Sequence, residues 1–193
     1  MKRFLFAVLS LLSVNVASAA IITYSAVLSG AIEAPPNSSP GKGVATVVID
    51  DLANTMALKV TFGNLLGPTT VAHIHCCTAL PLTGTAGVAT TTPSFPGFPA
   101  GVTSGSYDRI FDLTAAGTYN PAFVTSNGGV AGARAALLSA LTAGRAYYNL
   151  HTSAFPGGEI RGFLVPVPEP GSLALFGLAA LGLVTLRRRK LLG

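Results

Sequence analysis

Three histidines are the residues of this chain best suited to chemistry. His73 and His75 flank Ile74 in the run Ala72-His73-Ile74-His75. On a strand, residues two apart point to the same face, about 7 Å from one another. Two imidazoles so placed can share one Zn or Cu ion when a third donor arrives from elsewhere, because these borderline metals favour neutral nitrogen ligands. His151, the one other histidine of the 193 residues, is the candidate third ligand. The competing reading makes all three hydrogen-bonded structural residues on a polar sheet face.

Other reactive residue types are few. Glu159 and Arg161 are two apart on one strand face and are expected to be structural, as a salt bridge or through Arg contacts to neighbouring backbone. Cys76 and Cys77 are the only cysteines. Adjacent α-carbons lie about 3.8 Å apart, below the usual disulfide range of about 4.4–6.8 Å, so bridging them closes a tight ring. In an oxidising compartment a vicinal disulfide is nonetheless expected, since the chain offers no other partner, with thiolate ligation beside His75 as the alternative. No pair of carboxylates has a spacing suited to acid–base hydrolysis, and no Ser or Cys sits in a nucleophile motif, so no catalytic residue is assigned.

The elements that must hold these side chains read as short strands separated by Gly, Pro, Asn and Asp. Strands are expected over 22–28, 44–49, 55–62, 70–75, 107–113, 146–151 and 159–165. The second and third flank Asp50-Asp51-Leu52-Ala53-Asn54, a loop of hairpin length, and alternation directs Met56, Leu58, Val60 and Phe62 to one face. Residues 130–143 instead carry Val130, Ala133, Leu137, Leu138 and Leu141 at helical spacing, with Gly144 as the stop. The stretch 81–105, rich in Thr, Gly and Pro, is expected to be a surface loop and a candidate ligand-binding one.

Two segments then carry a resemblance. Ala143-Gly144-Arg145-Ala146-Tyr147-Tyr148-Asn149-Leu150-His151-Thr152 with Gly157-Gly158-Glu159-Ile160-Arg161-Gly162, and the central His-x-His, resemble the signature of the CHRD domain. The resemblance implies an all-β fold, an antiparallel β-sandwich of Greek-key type similar to Cu/Zn superoxide dismutase, here with one short amphipathic helix. Where that family has Gly after His-x-His, this chain has Cys76-Cys77.

Both ends read as addresses. Met1-Lys2-Arg3, an apolar stretch and Ala17-Ser18-Ala19 make residues 1–19 a signal peptide for signal peptidase. Residues 20–165 form one domain, and 166–193 a tail: Val167-Pro168-Glu169-Pro170, an apolar run of 15 residues from Ser172 to Leu186, then Arg187-Arg188-Arg189-Lys190. As a helix that run rises about 22 Å against a hydrocarbon core of about 30 Å, a thin anchor suited to recognition and removal. The tail resembles the PEP-CTERM sorting signal of Gram-negative bacteria. That resemblance implies a precursor held in the inner membrane, processing by an exosortase, and delivery to the cell surface or an exopolysaccharide matrix. The formal charge of +5 belongs to these ends, for residues 20–165 hold six cations and six anions. Without a basic stripe, nucleic-acid binding has no support. The function expected is a non-enzymatic exported binding or structural module with a polysaccharide or matrix partner. The alternative is a Zn or Cu domain with redox or other metal-dependent activity.

Overall fold

The computed structural model describes residues 21–168. The expected signal peptide and the sorting elements Glu169, Pro170, Arg187, Arg188 and Arg189 lie outside the described residues. Eight strands are present: β1 (Ile21–Ser29), β2 (Lys42–Asp50), β3 (Thr55–Gly63), β4 (Thr69–Cys76), β5 (Gly105–Asp112), β6 (Ala146–Thr152), β7 (Ile160–Phe163) and β8 (Val165–Pro166). Two helices, α1 (Pro121–Ser126) and α2 (Val130–Thr142), stand between β5 and β6. All strand pairs are antiparallel, as expected for this all-β chain.

The β2–β3 hairpin shows why the strands form where they do. Asp50 pairs with Thr55, the Asp50 carboxylate accepts the Ala53 amide at 2.8 Å, and Asn54 takes the left-handed conformation (φ 55°) that turns the chain. With register set by the turn, Met56, Leu58, Val60 and Phe62 face the interior and Lys59 faces water.

The strand order is β4-β6-β7-β1-β2-β3-β5, with β8 beside β1. Between β7 and β1 the ladder narrows to the single pair Ser29–Arg161, so the sheet creases there and curls into a half-barrel. Its two halves close on a shared core in which Leu28, Leu58, Ile74, Tyr148 and Leu150 are fully buried. Phe95 joins the halves, stacking on Tyr148 of β6 at 6.2 Å and meeting Phe111 of β5 at 5.3 Å. Helix α2 spans the expected residues and buries Ala133, Leu137, Ala140 and Leu141, while Gly144 (φ +64°) ends it. The short α1 was not read from periodicity, although Asn120 followed by Pro121 is a start signal: the Asn120 side chain accepts the Ala122 amide.

The expected loop over 81–105 is irregular and largely exposed, but its middle is docked on the sheet. β4 is the terminal strand at one end of the sheet, and its free backbone groups need partners. This segment provides them: Cys76 donates to Gly87 O, Ala89 to Ile74 O, and the Ile74 and Ala72 amides donate to the Thr90 and Ser94 hydroxyls. Phe95 and Phe98 are buried. The prolines prevent a regular ninth strand but not this side-chain-assisted edge, so Ala89, Thr90, Phe95 and Phe98 reach the core from a loop whose other residues are exposed or half-buried. Phe95→Ala should therefore cost about 3–5 kcal/mol in denaturant melts, whereas Lys59→Ala should cost less than about 0.5 kcal/mol. A small loss at Phe95 would mean that the segment only lies on the surface.

Candidate metal centre

Pleating separates the two faces of β4 and β6. Ala72, Ile74 and Cys76, with Ala146, Tyr148 and Leu150, point into the core. His73 and His75, with Tyr147, Asn149 and His151, share the other face. In the β4–β6 register His73 is opposite Asn149, His75 opposite Tyr147 and His151 opposite Val71, so His151 is diagonal to His73. Ring centroids are 5.8 Å apart for His73–His75, 5.5 Å for His73–His151 and 6.1 Å for His75–His151. Each residue presents one ligand atom, and the three atoms all lie within 4.8 Å of one another. Three nitrogens around one tetrahedral Zn with bonds of about 2.0–2.1 Å stand roughly 3.3 Å apart, so small ring rotations close the difference.

Backbone carbonyls fix the imidazoles. His73 Nε2 lies 2.6 Å from Pro93 O, His75 Nδ1 2.9 Å from Ala86 O, and His151 Nδ1 2.9 Å from Pro156 O. A carbonyl can only accept, so each of these ring nitrogens carries the proton and the other nitrogen is a bare lone pair. The remaining nitrogens, His73 Nδ1, His75 Nε2 and His151 Nε2, are sealed from solvent without a hydrogen-bond partner in the protein. Burial pushes all three imidazoles below their ordinary pKa, His75 to about 4, and the carbonyl bonds oppose this only in part. The rings are therefore neutral at pH 7, the state in which imidazole binds a metal. An N–H tied to a carbonyl with the other nitrogen free is the usual outer support of a metal-bound histidine.

The support extends across β6 and β7. Tyr147 stacks on His75 with centroids 4.8 Å apart and planes 3° from parallel, and its hydroxyl is 3.3 Å from the same Ala86 carbonyl. The Arg161 guanidinium lies over the far face of this group, 4.9 Å from the Tyr147 centroid, and donates to Ile32 O at 2.5 Å and Gly84 O at 3.2 Å. Its ion pair is with Glu33 at 3.8 Å. Burial lifts the Glu33 carboxyl to about 7 although Arg161 works against it. Gly158 (φ +129°) makes room beneath, for a Cβ there would stand 2.6 Å from Asn149 Oδ1 and 2.7 Å from Glu33 Oε1.

Glu159 does not pair with Arg161. It precedes β7, and its carboxylate accepts from Ser39 Oγ and Thr152 Oγ1 at 2.6 Å, from Leu66 N at 2.6 Å and from Gly67 N at 3.3 Å. Burial acts to raise this carboxyl, but the four donors hold it below the usual range. It clamps three chain segments at one end of the sheet, while Arg161 ties 32–33 and Gly84 to β7. Cys76 and Cys77 are joined to each other, and both sulfurs face Ala136 O of α2, so thiolate ligation beside His75 finds no support in the geometry. Tyr147 and the three carbonyls were not singled out in the sequence. Tyr147 becomes the partner of His75 only through the β4–β6 register, and backbone acceptors leave no residue signature.

The chain belongs to the CHRD domain family, which matches residues 24–164. A PEP-CTERM protein-sorting motif follows at 166–190, and the two together mark an exported protein sorted by exosortase to the cell surface. No curated protein and no solved structure matches the chain. Among the described residues no helix is long and apolar enough to cross a membrane.

The histidine geometry predicts a specific protonation pattern. In the metal-free chain at pH 7, long-range ¹H–¹⁵N spectra should show His73 protonated on Nε2 and His75 and His151 on Nδ1. Because unfolding restores an ordinary pKa near 6.5, the unfolded chain binds more protons in acid, and stability is lost as pH falls from about 6.5 through about 4. Glu33, raised in the folded state, contributes with the opposite sign: its share is present below about 4.5 and lost as pH rises through about 7. His75→Phe should flatten the acid limb of urea-melt stability against pH. An unchanged limb, or mixed tautomers at His75, would contradict the arrangement.

Proposed function

We propose that this exported chain is a non-enzymatic surface or matrix module whose domain holds one Zn or Cu ion on His73, His75 and His151. The observation that carries the reading is the convergence of three buried, bare ring nitrogens, each opposite an N–H committed to a backbone carbonyl. A buried polar atom without a partner costs about 1–3 kcal/mol, and three in one place call for a common ligand. Of the nearby carboxylates, Glu159 is committed to four donors, which favours holding over turnover. In this reading the metal rigidifies the β4–β6 face and the segment that covers it, which then meets a polysaccharide or another matrix component. Export by signal peptidase, an inner-membrane precursor and exosortase processing complete the proposal. A three-nitrogen set leaves one tetrahedral position open, which favours metal-dependent chemistry, redox or other, as a second reading.

Competition of the chelator-stripped full chain against a chromogenic chelator tests this. Wild type should take one Zn or Cu(II) per chain. His73→Ala, His75→Ala and His151→Ala should each weaken binding by about 100-fold or more, with the half-buried His151 variant least altered in its melts. Wild-type binding no tighter than that of the three variants would refute the site.

A further inference from the structure

We propose that the apolar hollow bounded by β1, β7 and β8 rests on the lipid bilayer that holds the sorting tail before its removal, an inference that depends on reading that tail as membrane-held. The hollow is lined by Ala26, Val27, Ile32, Leu82, Phe163 and Val165, with Ser25 as its one polar residue and no charged side chain. Val27 is 67% exposed and Leu82 58%, high values for aliphatic side chains grouped around one depression. Farther across the same outward face, at β3 and β5, Lys59 and Asp108 are exposed.

The position of the chain exit selects the occupant. β8 pairs with Tyr24 and Ser25 of β1, Val165 lines the hollow, and the Val167 amide donates to Thr23 O at 2.8 Å. The backbone therefore leaves the domain at the rim of the apolar patch. Only Glu169, Pro170 and Gly171 separate Pro168 from the start of the apolar run at Ser172. Four residue steps reach at most about 14 Å, so whatever receives the run lies against this side of the domain. The run is also short for the bilayer, about 22 Å against about 30 Å, and a short segment draws its flanking structure toward the hydrocarbon boundary. A charged face at the exit would resist that approach. An uncharged aliphatic one favours it.

The chain contains no tryptophan, so single insertions report without background. Four full-length variants with the tail intact, Phe176→Trp in the apolar run, Leu82→Trp and Val27→Trp at the hollow, and Ile110→Trp on β5, are reconstituted into phosphatidylethanolamine–phosphatidylglycerol vesicles with brominated acyl chains. Emission at positions 176, 82 and 27 should fall at least about twofold relative to unbrominated vesicles, and emission at 110 should change by less than about a tenth. Quenching at 176 without quenching at 82 and 27 overturns the docking while leaving the tail reading intact. Blue-shifted but unquenched emission at 82 and 27 assigns the hollow to a second copy or to the tail itself, and also overturns it. Absence of quenching at 176 removes the membrane reading of the tail and this inference with it.

Discussion

The free edge of β4 must find hydrogen-bond partners, and the segment that supplies them also supplies the acceptors that aim the histidines. Residues 86–95 run along that edge, and the same stretch of chain delivers Ala86 O to His75 and Pro93 O to His73. Edge protection and imidazole orientation are thus one device. If the segment detached, β4 would lose its partners and two of the three rings would lose the bonds that set their tautomers. Phe95, buried between β5 and β6, keeps the segment in place, so the curl of the sheet and the geometry of the centre depend on each other.

A second layer of support acts through charge kept away from solvent. Arg161 crosses from β7 to Ile32 and Gly84, packs on Tyr147 and through it on His75, and is balanced by Glu33. Breaking a buried pair by removing one partner costs more than the pair contributes, which is reason enough for Glu33 to stand in the loop after β1. Among the described residues the other ion pair, Arg134–Asp51, lies nearer the surface and links α2 to the β2–β3 hairpin. The Gly158-Glu159-Ile160-Arg161 run therefore does three things in four residues: it clears space, clamps one end of the sheet, and braces a histidine.

Much of this was legible in the sequence, because period-two alternation and turn residues carry local information. The β2–β3 hairpin, the inward Met56-Leu58-Val60-Phe62 face and helix α2 all follow from it. The two-residue spacing of His73 and His75 on one face was equally legible, and His151 was a candidate by residue type. Their actual convergence depends on the β4–β6 register, a pairing of segments more than 70 residues apart that no local pattern encodes. The docking of Ala89, Thr90, Phe95 and Phe98 within the 81–105 loop was not legible for a related reason: proline density reports what a segment cannot be, while its burial depends on a strand edge elsewhere. Arg161 and Glu159 were separated because a glycine-linked bend before β7 turns Glu159 off the strand's alternation.

Three neutral imidazoles, each oriented by a backbone carbonyl, are proposed to form one nitrogen-only metal centre. X-ray absorption on the full chain loaded with one equivalent of Zn reads that coordination directly. The expected spectrum has a first shell of three histidine nitrogens at about 2.0–2.1 Å with one further light atom, and outer-shell scattering from imidazole rings. A sulfur shell near about 2.3 Å, or an oxygen shell without imidazole scattering, would contradict it.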